Sequence, residues 1–392
     1  MPKYTDIIIY KNIKISIITI IIFISFVSSQ TLNASYIASN NINIAEQNYN
    51  ILDSFLEQSL IATEGQLATD TIDIIDTNEI DRNLKYIPPE CFLYADTRRY
   101  ILTGGTPLIK TEIKPIVFTS FTGLMTGVFI LQHELQMNTI WKEHSSKFRI
   151  LEDAKYSIYI DKAGHAWGAY AMSYVFRELL VASGIGWNTS NNVGAALGLG
   201  YSSYIEILDG FGDNWGFSPS DWYADVAGAA FFIGQNYVPF LQNFSPKFMY
   251  YPAEWFGHTS RIPHDIINDD YASQTFFLSA NIYNMLPKKY KSYWPKWLEL
   301  SIGYAVRDIL DANSLEGQGK IPSSECISLL PNNYGSPRLI LALDYNLAKL
   351  LPDGGNFWNW CKQSLNLFKL PSPAVEIGKI TRFYLIYPFK IL

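Results

Sequence analysis

A chain of 392 residues is long enough for two domains, or for one large domain with an extended arm. It is 48% hydrophobic and only 17% charged, which is lean in charge for a soluble protein. The net charge of −6, with no run of lysine or arginine, gives no reason to expect nucleic acid as a partner. An aromatic content of 15%, with 10 Trp and 26 Tyr, suits a protein at a membrane interface, where amphipathic rings collect. An aromatic-rich core would use the same residues.

Lys11 and Lys14 precede an apolar run from Ile15 to Val27, and Val27-Ser28-Ser29 before Gln30 is an acceptable small-residue cleavage site. Residues 1–29 therefore read as an export signal. The run is short for a membrane span; an uncleaved anchor is the alternative, supported by the earlier Ile7-Ile8-Ile9-Tyr10. Residues 30–90 form an arm. Its first part, 31–50, is rich in Asn, Ser and Ala and reads as a linker; Ile51 to Leu67 has helical periodicity, and Pro88-Pro89 closes it. The three cysteines, Cys91, Cys326 and Cys361, cannot all pair internally. A Cys326–Cys361 bridge is compatible with an oxidising compartment.

Residues 115–131 carry no charge and reach the lower limit for a span. His133 and Glu134 end this segment, and His144 follows in a polar stretch. The next helix is expected over 163–183, with Gly184 as its stop and Asp161 at or near its N-cap. A second fits 190–208, ending at Asp209-Gly210. A third begins at Ser218-Pro219-Ser220-Asp221, where Ser218 caps, Pro219 suits the first helical position and Asp221 completes a variant capping box. Small residues four apart, such as Gly194 and Gly198 or Ala224 and Gly228, permit close helix contact in membrane and soluble bundles alike. Arg177, Glu178, Glu206 and Asp225 would be costly in lipid unless turned inward.

Phe276 to Leu286 and Trp297 to Leu310 read as further helices. Between them and the third helix, His258, Arg261, His264 and Asp265 fall in a loop and are expected to have surface roles. From Arg338, alternation of Leu339, Leu341, Leu343 and Tyr345 suggests strands, as does the aromatic and β-branched stretch from Lys379 to Lys390. The fold expected is mainly α: an antiparallel helical bundle, membrane-embedded or membrane-apposed, with a small β element near the C-terminus. The bundle is placed at 91–335, and the segment with short strands at 336–392.

Up, down and up packing would bring the start of the first helix, the end of the second and the start of the third to one end. Asp161, His165, Glu206, Asp209, Asp221 and Asp225 all lie there. Each pair is three or four residues apart and so can project from one helix face. Asp161 and Asp221 are favoured at N-termini, whereas Glu206 and Asp209 are disfavoured at a C-terminus by roughly 0.3–1 kcal/mol each. Lys162, a protonated His165 or a bound cation would compensate. Three readings stay open. The acids act as caps and an internal polar network; or His165, Glu206, Asp209 and Asp225 ligate manganese, magnesium, calcium or zinc, though no strong zinc pattern is present; or His165 works as general acid and base with a carboxylate partner among Asp161, Glu206, Asp221 and Asp225.

The segments Asp161-Lys162-x-x-His165, Glu206-x-x-Asp209 and Asp221-x-x-x-Asp225-x-x-Gly228 resemble the YfiM-like predicted periplasmic lipoproteins (domain of unknown function 2279). More distantly they resemble the VanZ-like membrane proteins. Longer members also resemble this chain at Asn214 to Ser218, Lys247-Phe248, Asp270-Tyr271, Gln274-Thr275, Pro295 to Leu298 and Gly303-Tyr304, so the likeness spans roughly 110–390. It implies a Gram-negative envelope location, in the periplasm or a membrane, and a shared polar core, but no reaction. The lipoprotein label calls for a cysteine just after the signal, and the first here is Cys91; in this the chain departs from the family.

Two functional classes follow. One is a structural or assembly component of the envelope, in which the cluster fixes helix register. The other is a membrane-proximal hydrolase or transferase acting on a lipid or glycan precursor, with His165 as acid or base and the carboxylates holding a divalent cation. The expected partners are membrane lipids or envelope components. No serine or cysteine stands in a recognisable nucleophile motif.

Overall fold

The computed structural model describes residues 84–138, 141, 147–212, 215–258, 270–309 and 335–389. The export signal, the arm helix, His144, Arg261, His264 and Asp265 lie outside them. Cys91 and Cys361 carry free thiols, and Cys326, the expected partner of Cys361, also lies outside.

A two-stranded hairpin, β1 (Leu93–Tyr94) and β2 (Thr97–Arg98), precedes the long helix α1 (Pro115–Asn138). The chain divides into two compact units. Met125–Gln132 of α1 are the described part of one, and Asp81–Leu124 with His133–Leu392 form the other. No residue of α1 is buried, and by length and composition it can cross a membrane.

Three helices follow: α2 (Ile160–Ala182), α3 (Trp187–Asp209) and α4 (Pro219–Tyr237). They run up, down and up, and glycines set their separation. An added Cβ at Gly198 would lie 2.6 Å from the Ser173 backbone nitrogen, and one at Gly228 would lie 2.0 Å from the Ala166 carbonyl oxygen. Gly184 ends α2 at a φ of +85°, the left-handed conformation glycine adopts without penalty. Ser218 caps α4, its hydroxyl accepting from the Asp221 backbone N–H at 3.3 Å. The N-cap of α2 is Tyr159, not Asp161, which lies buried in the first turn.

The expectation of a mainly α bundle with a small β element is overturned by a six-stranded antiparallel sheet in the order β3-β4-β5-β6-β7-β8. Its strands are β3 (Phe244–Tyr250), β4 (Gln274–Ala280), β5 (Leu298–Arg307), β6 (Ser336–Tyr345), β7 (Ala374–Ile377) and β8 (Arg382–Tyr384). Single-turn helices α5 (Ile282–Met285) and α6 (Leu347–Leu350) and the longer α7 (Asn356–Ser364) fill the connections. Of the two segments read as helices after residue 275, Trp297 to Leu310 is the strand β5, and Phe276 to Leu286 is the end of strand β4 followed by the single turn α5. In β4 the adjacent Phe276-Phe277 hides any alternation, and a short apolar run does not distinguish helix from strand. In β5 the period of two is present: Leu298, Leu300, Ile302 and Tyr304 face one way, and Glu299, Ser301, Gly303 and Ala305 the other.

The sheet is inverted in polarity. Every charged residue of its strands (Lys247, Glu299, Arg307, Arg338, Asp344, Glu376 and Arg382) lies on one face, as the cross-strand register requires. That face is turned inward. Phe368 bridges to Phe248 on the outer edge of β3, and the chain then runs into β7 beside β6, curling the sheet around its charged face. Inside, Lys247 pairs with Glu299 at 3.1 Å and Asp344 at 2.8 Å, while Arg307 donates to Thr275 at 2.7 Å and Tyr387 at 2.9 Å. Met249, Phe277, Ile340 and Tyr384 fill the remaining space. On the other face, Phe248 and Phe276 receive Trp167 of α2, and Gly164 lets the helix approach Phe276. This contact seats the helical layer on the sheet.

Replacing Gly228 with Val puts carbon against the Ala166 carbonyl. It should destabilise the protein by about 1–3 kcal/mol or more through forced helix separation, read as a lower denaturation midpoint, whereas Gly200→Ala, where a Cβ meets nothing, should not.

Candidate functional site

The ends of α2, α3 and α4 meet as the topology requires, and His165 sits in the centre. Its Nδ1 is 3.3 Å from Asp225 Oδ1. Its Nε2 is 3.6 Å from Glu206 Oε1 and 3.8 Å from both Asp161 Oδ1 and Asp221 Oδ1. Lys162 joins the same group, 2.9 Å from Asp161, 2.6 Å from Asp221 and 2.5 Å from Asp153. Tyr271 donates to Asp161 at 2.6 Å, and the Ser218 backbone N–H to Glu206 at 3.1 Å. Oδ2 of Asp225 is enclosed and accepts no well-formed hydrogen bond, with Ser202 as a near neighbour.

Five of the expected residues, Asp161, His165, Glu206, Asp221 and Asp225, are therefore together. Two sets present ligand atoms within 4.8 Å of one another: Asp161, His165 and Asp221, and His165, Glu206 and Asp225. Asp209 belongs to neither. Its carboxylate accepts from the indole of Trp141, so it stands apart from both sets. One helical turn separates Glu206 from Asp209, and the third-residue spacing does not bring both to the same point.

Burial of so many acids splits their pKa values. Burial raises Glu206 to about 8, with His165 opposing and Asp209 assisting. Burial and the Asp161 charge raise Asp221 to about 9 against the pull of His165 and Lys162. Asp225 is also raised, by burial, with His165 opposing. Asp161 is the exception: burial would raise it, but His165, Lys162 and the Tyr271 hydroxyl hold it down at about 2. His165 is raised well above its usual value; burial opposes, and Asp161, Asp225 and Asp221 outweigh it. The arrangement holds protons that free side chains would release at neutral pH. It therefore suits proton storage, acid–base work or exchange of those protons for a cation.

Sequence reasoning missed Asp153 and Tyr271. Asp153 precedes the helix with no periodic signal, and Tyr271 arrives from beyond the third helix; only the family resemblance had marked the Asp270-Tyr271 segment. It also missed a cavity of about 100 Å³ at the far end of α2, lined by Tyr94, Arg99, Tyr174, Arg177 and Trp187 among others. There Arg177 pairs with Glu178 at 2.6 Å, which resolves the two charges that looked costly in lipid. Arg99 stacks 4.4 Å from the Tyr94 ring centre and 4.9 Å from that of Trp187.

A three-helix layer with an acid-rich histidine centre, seated on a sheet with a charged interior, is the class of protein defined here. A family model described as "Predicted periplasmic lipoprotein (DUF2279)" matches residues 151–235, the stretch that carries Asp153, all five clustered residues and the three helices. That description agrees with export to the periplasm or a membrane of the cell envelope. No curated protein and no solved structure matches the chain.

In the metal-free protein, the folded state holds protons on Glu206, Asp221 and His165 that the unfolded chain loses first. Stability from these groups is fully present below pH 4.5 for Glu206, 3.8 for Asp221 and 6.5 for His165, and is lost as pH rises through the folded values, about 8 for Glu206 and 9 for Asp221. Asp161 acts oppositely, contributing above its unfolded value near 4 and losing that contribution as pH falls toward 2. Denaturation of chelator-treated protein should therefore show stability falling from pH 5 to 9, with a shallower fall in Glu206→Gln. An unchanged slope in that variant would remove Glu206 from the proton-holding set.

Proposed function

We propose that this is an envelope structural or assembly protein whose three helices are joined by a divalent cation held by His165, Glu206 and Asp225. The observation that carries the reading is the charge imbalance: among the described residues, Asp153, Asp161, Glu206, Asp221 and Asp225 surround only Lys162 and His165 as cations. An internal network made only to fix register would pair its charges, because unpaired buried carboxylates are costly. Here the excess negative charge calls for protons or a cation. One imidazole with several carboxylates suits manganese, magnesium, calcium or zinc. The cation would supply positive charge where the three chain segments meet, and Lys162, bridging Asp161, Asp221 and Asp153, holds the adjoining acids in place. The finer likeness to YfiM-like proteins, read from the sequence, is consistent with a polar core shared within an envelope family.

A second reading, a membrane-proximal hydrolase or transferase acting on a lipid or glycan precursor, is favoured by one feature. His165 keeps 21% of its side-chain surface exposed, whereas Glu206 and Asp225 keep 2% and 1%. Of these three the imidazole is the most open to exchange a proton with a substrate.

Elemental analysis of the purified protein tests the first reading. Wild type should hold near-stoichiometric divalent metal, and His165→Gln and Asp225→Asn should each lower metal affinity by at least the roughly 10–100-fold that loss of a mere outer-shell partner costs, while remaining folded. Chelation should lower the melting temperature of the wild type and leave the variants unmoved. A wild type that is metal-free as isolated, takes up none of the four cations and is indifferent to chelator would refute the cation. Loss of function in a folded, correctly located His165→Gln that still binds metal would favour the enzyme.

A further inference from the structure

We infer that the uncharged outer face of the six-stranded sheet is a docking surface for an anionic lipid bilayer. On this face the register aligns Pro246, Leu278, Ile302, Leu341, Val375 and Phe383 in one row across all six strands. The neighbouring rows hold Leu300 with Leu343, and Tyr304 with Leu339 and Ile377. No Asp, Glu, Lys, Arg or His of the strands lies on it. Yet the described residues leave it open: Ile302 is 49% exposed, Leu341 47% and Phe383 72%. A water-facing antiparallel sheet normally shows the reverse alternation, polar out and apolar in. Apolar-out and polar-in is the pattern of strands that face lipid.

The charged residues that would face water in a soluble sheet are instead turned inside, where Lys247 pairs with Glu299 and Asp344 and Arg338 lies 3.6 Å from Glu376. The exposed side is therefore not a misplaced core face, because the interior is already filled. A contiguous exposed apolar patch of this kind marks an interaction site.

Charge complementarity selects the occupant. The connection between β4 and β5 begins beside Ala280, ends beside Leu298 and borders the exposed Leu300. It carries Lys288, Lys289, Lys291 and Lys296, interleaved with Tyr290, Tyr293 and Trp294. Lys289, Lys291 and Lys296 form no ion pair among the described residues; they lie 5.2–5.5 Å from tyrosine ring centres. Tyr293 is 82% exposed. Basic residues next to interfacial aromatics suit anionic headgroups, at about 1 kcal/mol per lysine near the surface. A second copy of the chain would bring this basic rim against another of the same sign in a side-by-side stack.

Depth is limited by the helical layer. Phe248, Phe276, Tyr304 and Val306 on the same face are taken up by contacts with Ile160, Ala163 and Trp167 of α2 or with one another. The free part runs from Leu300 to Ile302 on β5, about 7 Å along the strand. That is far shorter than the roughly 9–11 residues of a spanning strand, so the face suits interfacial seating rather than a span. The exposed α1, which by length and composition can itself cross a membrane, is a separate element, so the test must report on the sheet face alone.

An environment-sensitive nitrobenzoxadiazole label does so, placed at Ile302→Cys or Leu341→Cys in a full-length chain with Cys91→Ser, Cys326→Ser and Cys361→Ser. A control label goes at Tyr223→Cys, on the exposed side of α4. With phosphatidylethanolamine/phosphatidylglycerol vesicles, the 302 and 341 labels should shift to the blue and be quenched by nitroxide-bearing acyl chains, while the 223 label should not. Replacing Lys288, Lys289, Lys291 and Lys296 with Gln should weaken the response several-fold. Each of three results would overturn the proposal: no vesicle response; vesicle binding with the 302 and 341 labels still in water, as tethering through α1 alone would give; or shielding that depends on protein concentration without vesicles, the mark of sheet-to-sheet pairing. An equal response to phosphatidylcholine vesicles would overturn its anionic component.

Discussion

Burying charge beside partners that are held in place is the constraint on which the rest of this structure depends. The helical layer concentrates carboxylates where three helix ends meet, and the sheet encloses lysine, arginine and acid side chains on its inner face. Both are expensive unless partners are fixed in place, and both are fixed by rigid elements rather than loops. In the helices the partners are His165 and Lys162, four and one residues from Asp161. In the sheet they are cross-strand neighbours such as Lys247 and Glu299, brought together by pairing β3, β4 and β5 in register.

The two solutions differ in completeness, and that difference points to function. Inside the sheet, Lys247 lies between two acids and Lys369 lies 3.3 Å from Asp344, so positive and negative charges alternate. Around His165 the acids outnumber the bases. The first arrangement is what a stable interior needs. The second leaves carboxyls that hold protons until something positive displaces them. Contact between the layers, through Trp167, Phe248 and Phe276, keeps the acid-rich end adjoining Tyr271, whose hydroxyl helps to hold Asp161 ionised.

An inward-charged sheet also explains why its outer face is apolar. Alternation along a strand sends successive residues to opposite faces, so placing the charges of β5 and β6 inside leaves Leu300, Ile302, Leu339 and Leu341 outside. A soluble interior would have used the opposite register; a shift by one residue would exchange the faces. The alternation is the same for both choices, which is why the pattern of Leu339, Leu341 and Leu343 identified a strand without saying which face it presents.

The sequence by itself determined the three helices of the polar centre, because their signals are local. Gly184 stops α2, Ser218 caps α4, and spacings of three and four place acids on one helical face. That these ends would meet followed only if the helices packed up, down and up, and the helix contacts supply that packing. Only the tertiary structure decided that Asp209 turns to Trp141, that Asp153 and Tyr271 enter the centre, and that β4 and β5 are strands. Those outcomes rest on contacts between residues far apart in the chain: a strand is chosen by the partners it pairs with, and Phe276-Phe277 carries no sign of Tyr304 or Gly303 waiting across the sheet. Helical order is written in neighbours one turn away, and sheet order in neighbours that only folding supplies.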